Sequence, residues 1–197
     1  MGQTAAAAKT EEVKPTWDDD PFYLISIAIH KSRRYHSKMS AFFQMLSSFV
    51  LSSNAILGVG AFIALIGGKD GEIAKYLVGF VAIASAVDNV FGFAKKAKVH
   101  ADLCRKFTDL AANVAMWDAT DNNYKKAMAE RIRIEKDEPP IHRLVDLQAR
   151  NEEMRSRGYP SADLVPLSLA QRTFGYVATF GMGRLEKWLA SRAITGN

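Results

Sequence analysis

The chain has 197 residues, with 26 Lys+Arg against 21 Asp+Glu and a single cysteine. That length holds one domain or two small ones around a real hydrophobic core. One cysteine excludes a disulfide scaffold and a cysteine-based zinc site, and a formal net charge of +5 is too small to imply nucleic acid.

Charge is unevenly distributed. Residues 39–94 carry only Lys69, Asp70, Glu72, Lys75 and Asp88, whereas the rest of the chain is densely charged. The opening stretch, 1–20, is Ala, Thr and charge without the apolar run of a cleavable secretory signal, and is expected to be a disordered tail. Met1-Gly2 invites a myristoylation reading, but Ala6 stands where Ser or Thr is expected. Asp18-Asp19-Asp20-Pro21 is a good helix start, a carboxylate cap followed by proline at the first helical position. An amphipathic juxtamembrane helix is expected over 21–38.

Met39 to Gly68 is a run of 30 residues without a charge, fenced by Lys38 and Lys69. About 20 apolar residues suffice to cross a bilayer as a helix. Polar residues cluster in its first half, with Ser40, Gln44, Ser47, Asn54 and Gly58 on one face, so the crossing is placed at about 46–67. A second run, 76–94, has one charge, and the Gly-rich turn Gly67–Glu72 reverses the chain between them. A buried hairpin in a soluble bundle would show a charged stripe on each helix; neither run does. The expected fold class is therefore all-α: a two-helix transmembrane hairpin (39–94) with a cytoplasmic helical bundle. Lys31, Arg33, Arg34 and Lys38 flank the entry and Lys95, Lys96, Lys98 and Arg105 the exit, which puts both termini on the cytoplasmic side.

Within the second span Ser85, Asp88, Asn89 and Gly92 recur at i, i+3, i+4 and i+7 on one face. An intramembrane carboxylate is expensive unless paired or wetted. Two readings stand open. The face lines an aqueous path between subunits, or it glues helices together, with Asp88 or Asn89 bonded to Asn54 or Ser47 and Gly58, Gly60 and Gly92 allowing close approach.

Beyond Lys98, Leu103, Phe107, Leu110, Val114 and Trp117 follow Val99 at steps of three and four. They form a coiled-coil-like seam suited to helix pairing or to homo-oligomerisation. Asp121-Asn122-Asn123 is expected to break it. A helix over 124–137 follows, then Pro139-Pro140, then a helix over 140–157 ending at Gly158; 95–160 form the cytoplasmic helices. Glu135, Asp137 and Glu138 are placed either on a solvated face or in pairs with Arg131, Arg133 or Arg150. Asn151 is expected to cap a helix terminus. The remainder, 161–197, reads as a C-terminal amphipathic helix with Leu167, Ala170, Phe174, Val177, Gly181, Leu185 and Trp188 on one face. It suits an anionic membrane surface or partner, or packing on the bundle.

Four features occur in order: Arg34-Tyr35-His36 before the hairpin, His100-x-x-Leu103-x-x-x-Phe107 after it, Ile134-Glu135-Lys136-Asp137-Glu138-Pro139-Pro140, and Asn151-Glu152-x-x-Arg155-x-x-Gly158-Tyr159. This order resembles the SLATT family, the SMODS- and SLOG-associating two-transmembrane effector domains of prokaryotic conflict systems, over about residues 22–160. Ala149 departs from the bulkier residue expected two positions before Asn151. The resemblance implies an effector in the bacterial inner membrane that oligomerises and perturbs the bilayer in answer to a nucleotide signal. It implies a cyclic or modified nucleotide second messenger, acting directly or through its synthase as a partner, and no other cofactor. A non-conducting membrane scaffold that recruits a soluble partner is the alternative.

His30, His36, His100 and His142 show no metal-ligand spacing, and no phosphate-binding glycine loop or nucleophile motif occurs. Cys104 lies beside Arg105-Lys106, where its thiol is either activated or a buried structural group. No enzymatic activity is expected.

Overall fold

The computed structural model describes residues 20–67 and 71–194. They form helices α1 (Pro21–Gly67), α2 (Gly71–Phe91), α3 (Phe93–Met116), α4 (Asp121–Glu135), α5 (Arg143–Ser156), α6 (Leu169–Phe174) and α7 (Met182–Ile194), with a 3-10 turn at Ser161–Asp163. No strand occurs among the described residues. The expected tail, at 1–19, and the middle of the hairpin turn, at 68–70, lie outside the described residues.

The start at Pro21 is as the sequence predicts, with the Asp20 carboxylate accepting from the Phe22 N–H at 2.9 Å. The length of the helix differs from expectation. The juxtamembrane helix and the first span are one continuous helix of 47 residues, about 70 Å long at 1.5 Å per residue. Nothing between Pro21 and Gly58 can break it, because the stretch holds neither proline nor glycine. The two halves of α1 live in different surroundings. Its lower half buries Ile25, Ile29, Tyr35, His36, Met39 and Phe43, a helical stripe. Its upper half exposes Met45, Phe49, Leu51, Ile56, Val59, Phe62, Ile63 and Ile66.

α2 likewise exposes Tyr76, Val78, Phe80, Ile83, Val87, Val90 and Phe91. In α1 the exposed apolar belt runs from Met45 to Ile66, about 32 Å of helix, close to the thickness of a bilayer's hydrocarbon core. Two helices are thus long and apolar enough to cross a membrane, and only 6% and 0% of their most apolar windows are buried in the chain. The core helix of a soluble protein would be mostly buried. α2 does not run straight into α3: Gly92 sits at φ 59°, in the left-handed region, and ends one helix before the other begins.

The bundle below has three apolar clusters. Ile25 and Ile29 meet Phe107, Leu110, Ala111, Val114 and Ala127. Tyr35, Met39 and Phe43 meet Val145 and Ala149. Leu144 and Leu147 meet Val165 and Leu185. The first cluster gives the seam its helix-pairing use. Leu103, Phe107, Leu110 and Val114 are all buried within one chain, so this stripe pairs α3 with α1 and α4 and offers no face to a second copy. Trp117 terminates α3 half-buried, with the Lys126 ammonium 4.2 Å from its ring centroid. The small Ala149 belongs to the second cluster, at 0% exposure, where it lets α5 lie close to α1.

Two boundaries shift. The break after α3 falls at 117–120, and Asp121 begins α4 rather than interrupting a helix, because Thr120 caps it by accepting from the Asn123 N–H. α5 starts at Arg143, since the residues around Pro139-Pro140 are held out of helical geometry. The single C-terminal helix is also corrected. Residues 161–194 form a 3-10 turn, the short α6 and α7, because Gly175 and the left-handed Gly181 interrupt the pattern. Of its proposed face, Leu185 is buried in the third cluster with Leu167 and Trp188 against it, whereas Phe174 and Val177 are exposed.

Candidate functional site

The polar residues of the hairpin divide into two sets. Asn54, Ser85 and Asp88 are half-buried between α1 and α2, and Asn89 points outward, exposed. The Asn54 amide donates to the Ser85 hydroxyl across the hairpin, Nδ2 to Oγ at 2.9 Å. This is an interhelical bond of the gluing kind, made by residues other than the predicted Asp88 or Asn89. Two oxygens beside it, Asn54 Oδ1 and Asp88 Oδ1, are buried and accept nothing. Buried acceptors without a donor are uncommon and costly. The glycines do not bring the helices together. A Cβ on Gly58 would meet nothing within 4 Å, and one on Gly60 only Leu77 at 3.9 Å; Gly92 serves the helix break.

Beneath the hairpin lies a cluster that no sequence spacing indicated. His36 on α1 and His100 on α3 face each other with Nδ1 to Nδ1 at 2.9 Å, and His36 Nε2 stands 3.1 Å from Glu138 Oε1 in the Glu-Pro-Pro loop. Phe107 stacks on His36 and Phe43 on His100. Tyr35 packs edge-on to both imidazoles and accepts the His142 N–H at its hydroxyl, 3.0 Å away. Burial first, then the neighbouring His36 and His142, lowers the His100 pKa to about 4, so this imidazole is neutral near pH 7. Burial also raises the Tyr35 phenol above its usual value, against the bond from His142. Tyr35-His36, His100, Phe107 and Glu138, which all stand in the ordered sequence motifs, are the ones brought together. That shared membership was the signal available, although 64 residues separate the two histidines.

The hairpin and the cluster meet at one opening. Phe43, Asn89, Gly92, Lys95, His100 and Pro139 border a cleft of about 600 Å³ at the α2–α3 break. On the opposite side α1 is locked to α5 by charge. Glu153, 3% exposed, receives Arg34 at 2.8 Å and Arg157 at 2.6 Å on separate oxygens. Burial pushes this carboxyl up, but the two guanidiniums outweigh it and hold it below the usual range. Lys31–Asp146 and Lys38–Glu152 continue the row.

The three acidic residues at the end of α4 and in the following loop find separate partners. Glu135 pairs with Arg131, Asp137 with Lys106, and Glu138 faces His36. Asn151 caps no helix; it bonds the backbone of Val165 in both directions at 2.8 Å. Cys104 is a half-buried free thiol. No group of three or more metal-ligating side chains occurs among the described residues.

No family model, curated protein or solved structure matches the chain.

Proposed function

We propose that this chain is a membrane effector of a nucleotide-signalled prokaryotic antiphage system. Its α1–α2 hairpin spans the bacterial inner membrane with both termini cytoplasmic, and copies of it associate into a pore or lesion that arrests or kills the cell. The observation that carries the reading is the pair of unpartnered buried oxygens, Asn54 Oδ1 and Asp88 Oδ1, inside a hairpin whose outer surface is otherwise an apolar belt. Acceptors in such a place call for water, a cation or a donor from another helix. Ser52 and Asn89 add support. Both are exposed on the hairpin, where lipid would surround them unless a second copy covers them. With the α3 seam consumed inside the chain, association falls to the hairpin. Basic residues flanking its lower ends, against Lys69 and Lys75 at the turn, support the orientation. The order of motifs resembling SLATT effectors supports the signal.

The test is dye entry into cells expressing the chain with and without a nucleotide synthase encoded beside it. Signal-dependent leakage is expected, and Asp88→Ala should alter it. Unchanged leakage in that variant removes the pore-lining role, and intact membranes with every such synthase overturn the reading. The Asn54–Ser85 bond favours a second reading, since it satisfies polar groups within one hairpin. In that reading the hairpin is a non-conducting anchor whose helices recruit a soluble partner. Absence of current in planar bilayers, with partner binding retained, would select it.

A further inference from the structure

A second cavity, of about 310 Å³, opens between α1, α5 and the segment leading into α6. Its size falls at the lower end of small-ligand sites. Four charged side chains line it, and they do not balance. Lys38 is neutralised by Glu152 at 2.5 Å. Arg155 and Arg172 have no carboxylate partner among the described residues, and both are exposed at the cavity mouth. Both line one opening, where an anion would meet the N–H donors of two guanidiniums.

The cavity wall is held by buried amides. Asn151 grips Val165 through both its oxygen and its nitrogen. The Gln148 amide donates to the carbonyl of Arg172 at 3.1 Å. Ser168 and Gln171 cap α6 reciprocally. The backbone that presents Arg172 is thereby fixed relative to the helix that presents Arg155, which is what a preorganised site requires. The Thr173 hydroxyl and an apolar lip at Leu167 and Leu169 complete the lining.

We propose that Arg155 and Arg172 bind the phosphate of an amphiphilic phosphate ester whose body rests on the Leu167–Leu169 lip. The planar fork of arginine matches phosphate oxygens in bidentate fashion. Two sources present that chemistry. Lys38 is seven residues, about 10 Å of helix, below the start of the apolar belt at Met45, so a lipid headgroup lies within reach; a soluble nucleotide reaches the same opening from the water. The site goes beyond the proposed function and does not depend on it, because binding is read without any conductance.

The experiment uses the full chain in dodecyl maltoside, a detergent without phosphate, with thermal melting and calorimetry as readouts. One arm adds adenosine 5′-monophosphate, with neutral adenosine as its control. The other adds phosphatidylglycerol in mixed micelles, with diacylglycerol as its phosphate-free control. Each arm is repeated with Arg155→Gln/Arg172→Gln and with Arg133→Gln/Arg143→Gln, which removes the same charge elsewhere. Stabilisation by the nucleotide but not by adenosine, weakened at least about tenfold only in the Arg155/Arg172 variant, assigns a soluble phosphate ester. Stabilisation by phosphatidylglycerol with the same dependence assigns a headgroup. Both variants replace exposed residues that make no ion pair among the described residues, and their folding is checked by circular dichroism. No stabilisation in either arm, or stabilisation equal in the two variants, overturns the proposal, and neither result bears on whether the hairpin conducts.

Discussion

His36 and His100 approach with their Nδ1 atoms 2.9 Å apart, a contact that holds one proton, so one ring donates and the other accepts. His36 has the Glu138 carboxylate on its far nitrogen. His100 has no carboxylate bonded to it and lies against the ring of Phe43. The pair couples three elements of different origin in the chain: the lower half of α1, the start of α3 and the Glu-Pro-Pro loop.

Stability is expected to fall with acidification as a consequence. The folded His100 pKa of about 4 lies below the ordinary value of 6.5, so the unfolded chain binds the proton more readily. The contribution is fully present above about pH 6.5 and is lost as pH falls toward 4. It is worth at most about 3 kcal/mol over that window. Melting temperatures in detergent between pH 8 and pH 4 check this, and His100→Phe should flatten the profile.

Glu153→Gln should destabilise the bundle by about 2–3 kcal/mol. The substitution leaves Arg34 and Arg157 facing a neutral amide at a position only 3% exposed. Since Arg34 also bonds Ser156 and Arg157 also bonds Ser26, the α1–α5 contact loosens as a unit. Chemical denaturation measures the loss, and Glu152→Gln, at a more exposed carboxylate, should cost under about 1 kcal/mol.

Gly175→Ala meets a hard steric limit. A Cβ there would stand 2.4 Å from the Gln171 carbonyl oxygen and 2.7 Å from Leu144 Cβ. Leu144 is fully buried, so backbone must move, at a cost of about 1–3 kcal/mol. Gly183→Ala, which meets nothing within 4 Å, serves as the control with an effect near zero in the same melting assay.

Asn151→Ala should cost about 2 kcal/mol, because the Val165 N–H and carbonyl both lose their side-chain partner inside the bundle. Hydrogen exchange at the Val165 amide should accelerate well beyond the change in global stability, and the Arg155–Arg172 cavity should lose its fixed wall.

Much of the hairpin was legible in the sequence because a helix apolar enough to cross a membrane must omit charge on every side, and 39–68 does so over 30 consecutive residues. The Asp20-Pro21 start was legible because capping is local. The α3 stripe at Leu103, Phe107, Leu110 and Val114 was legible as a helical face, but periodicity records that a face is buried without naming what buries it; the partner is α1 of the same chain. The histidine cluster and the Arg155–Arg172 cavity were not legible, since each joins residues on separate elements through a fold that spacing does not encode. The C-terminal face failed for a local reason. Gly181 was read as a member of a helical stripe, whereas it stands in the left-handed region just before α7, and Gly175 has already closed α6.

The unbroken run of α1 from the bundle through the belt has a mechanical corollary. A rod without a joint transmits rotation along its whole length, so turning Tyr35 and His36 in the bundle also turns Asn54 far above them. α2 joins α3 through one left-handed residue, Gly92, so its direction relative to the bundle is set by the dihedrals at a single point, whereas that of α1 is set by an unbroken helix.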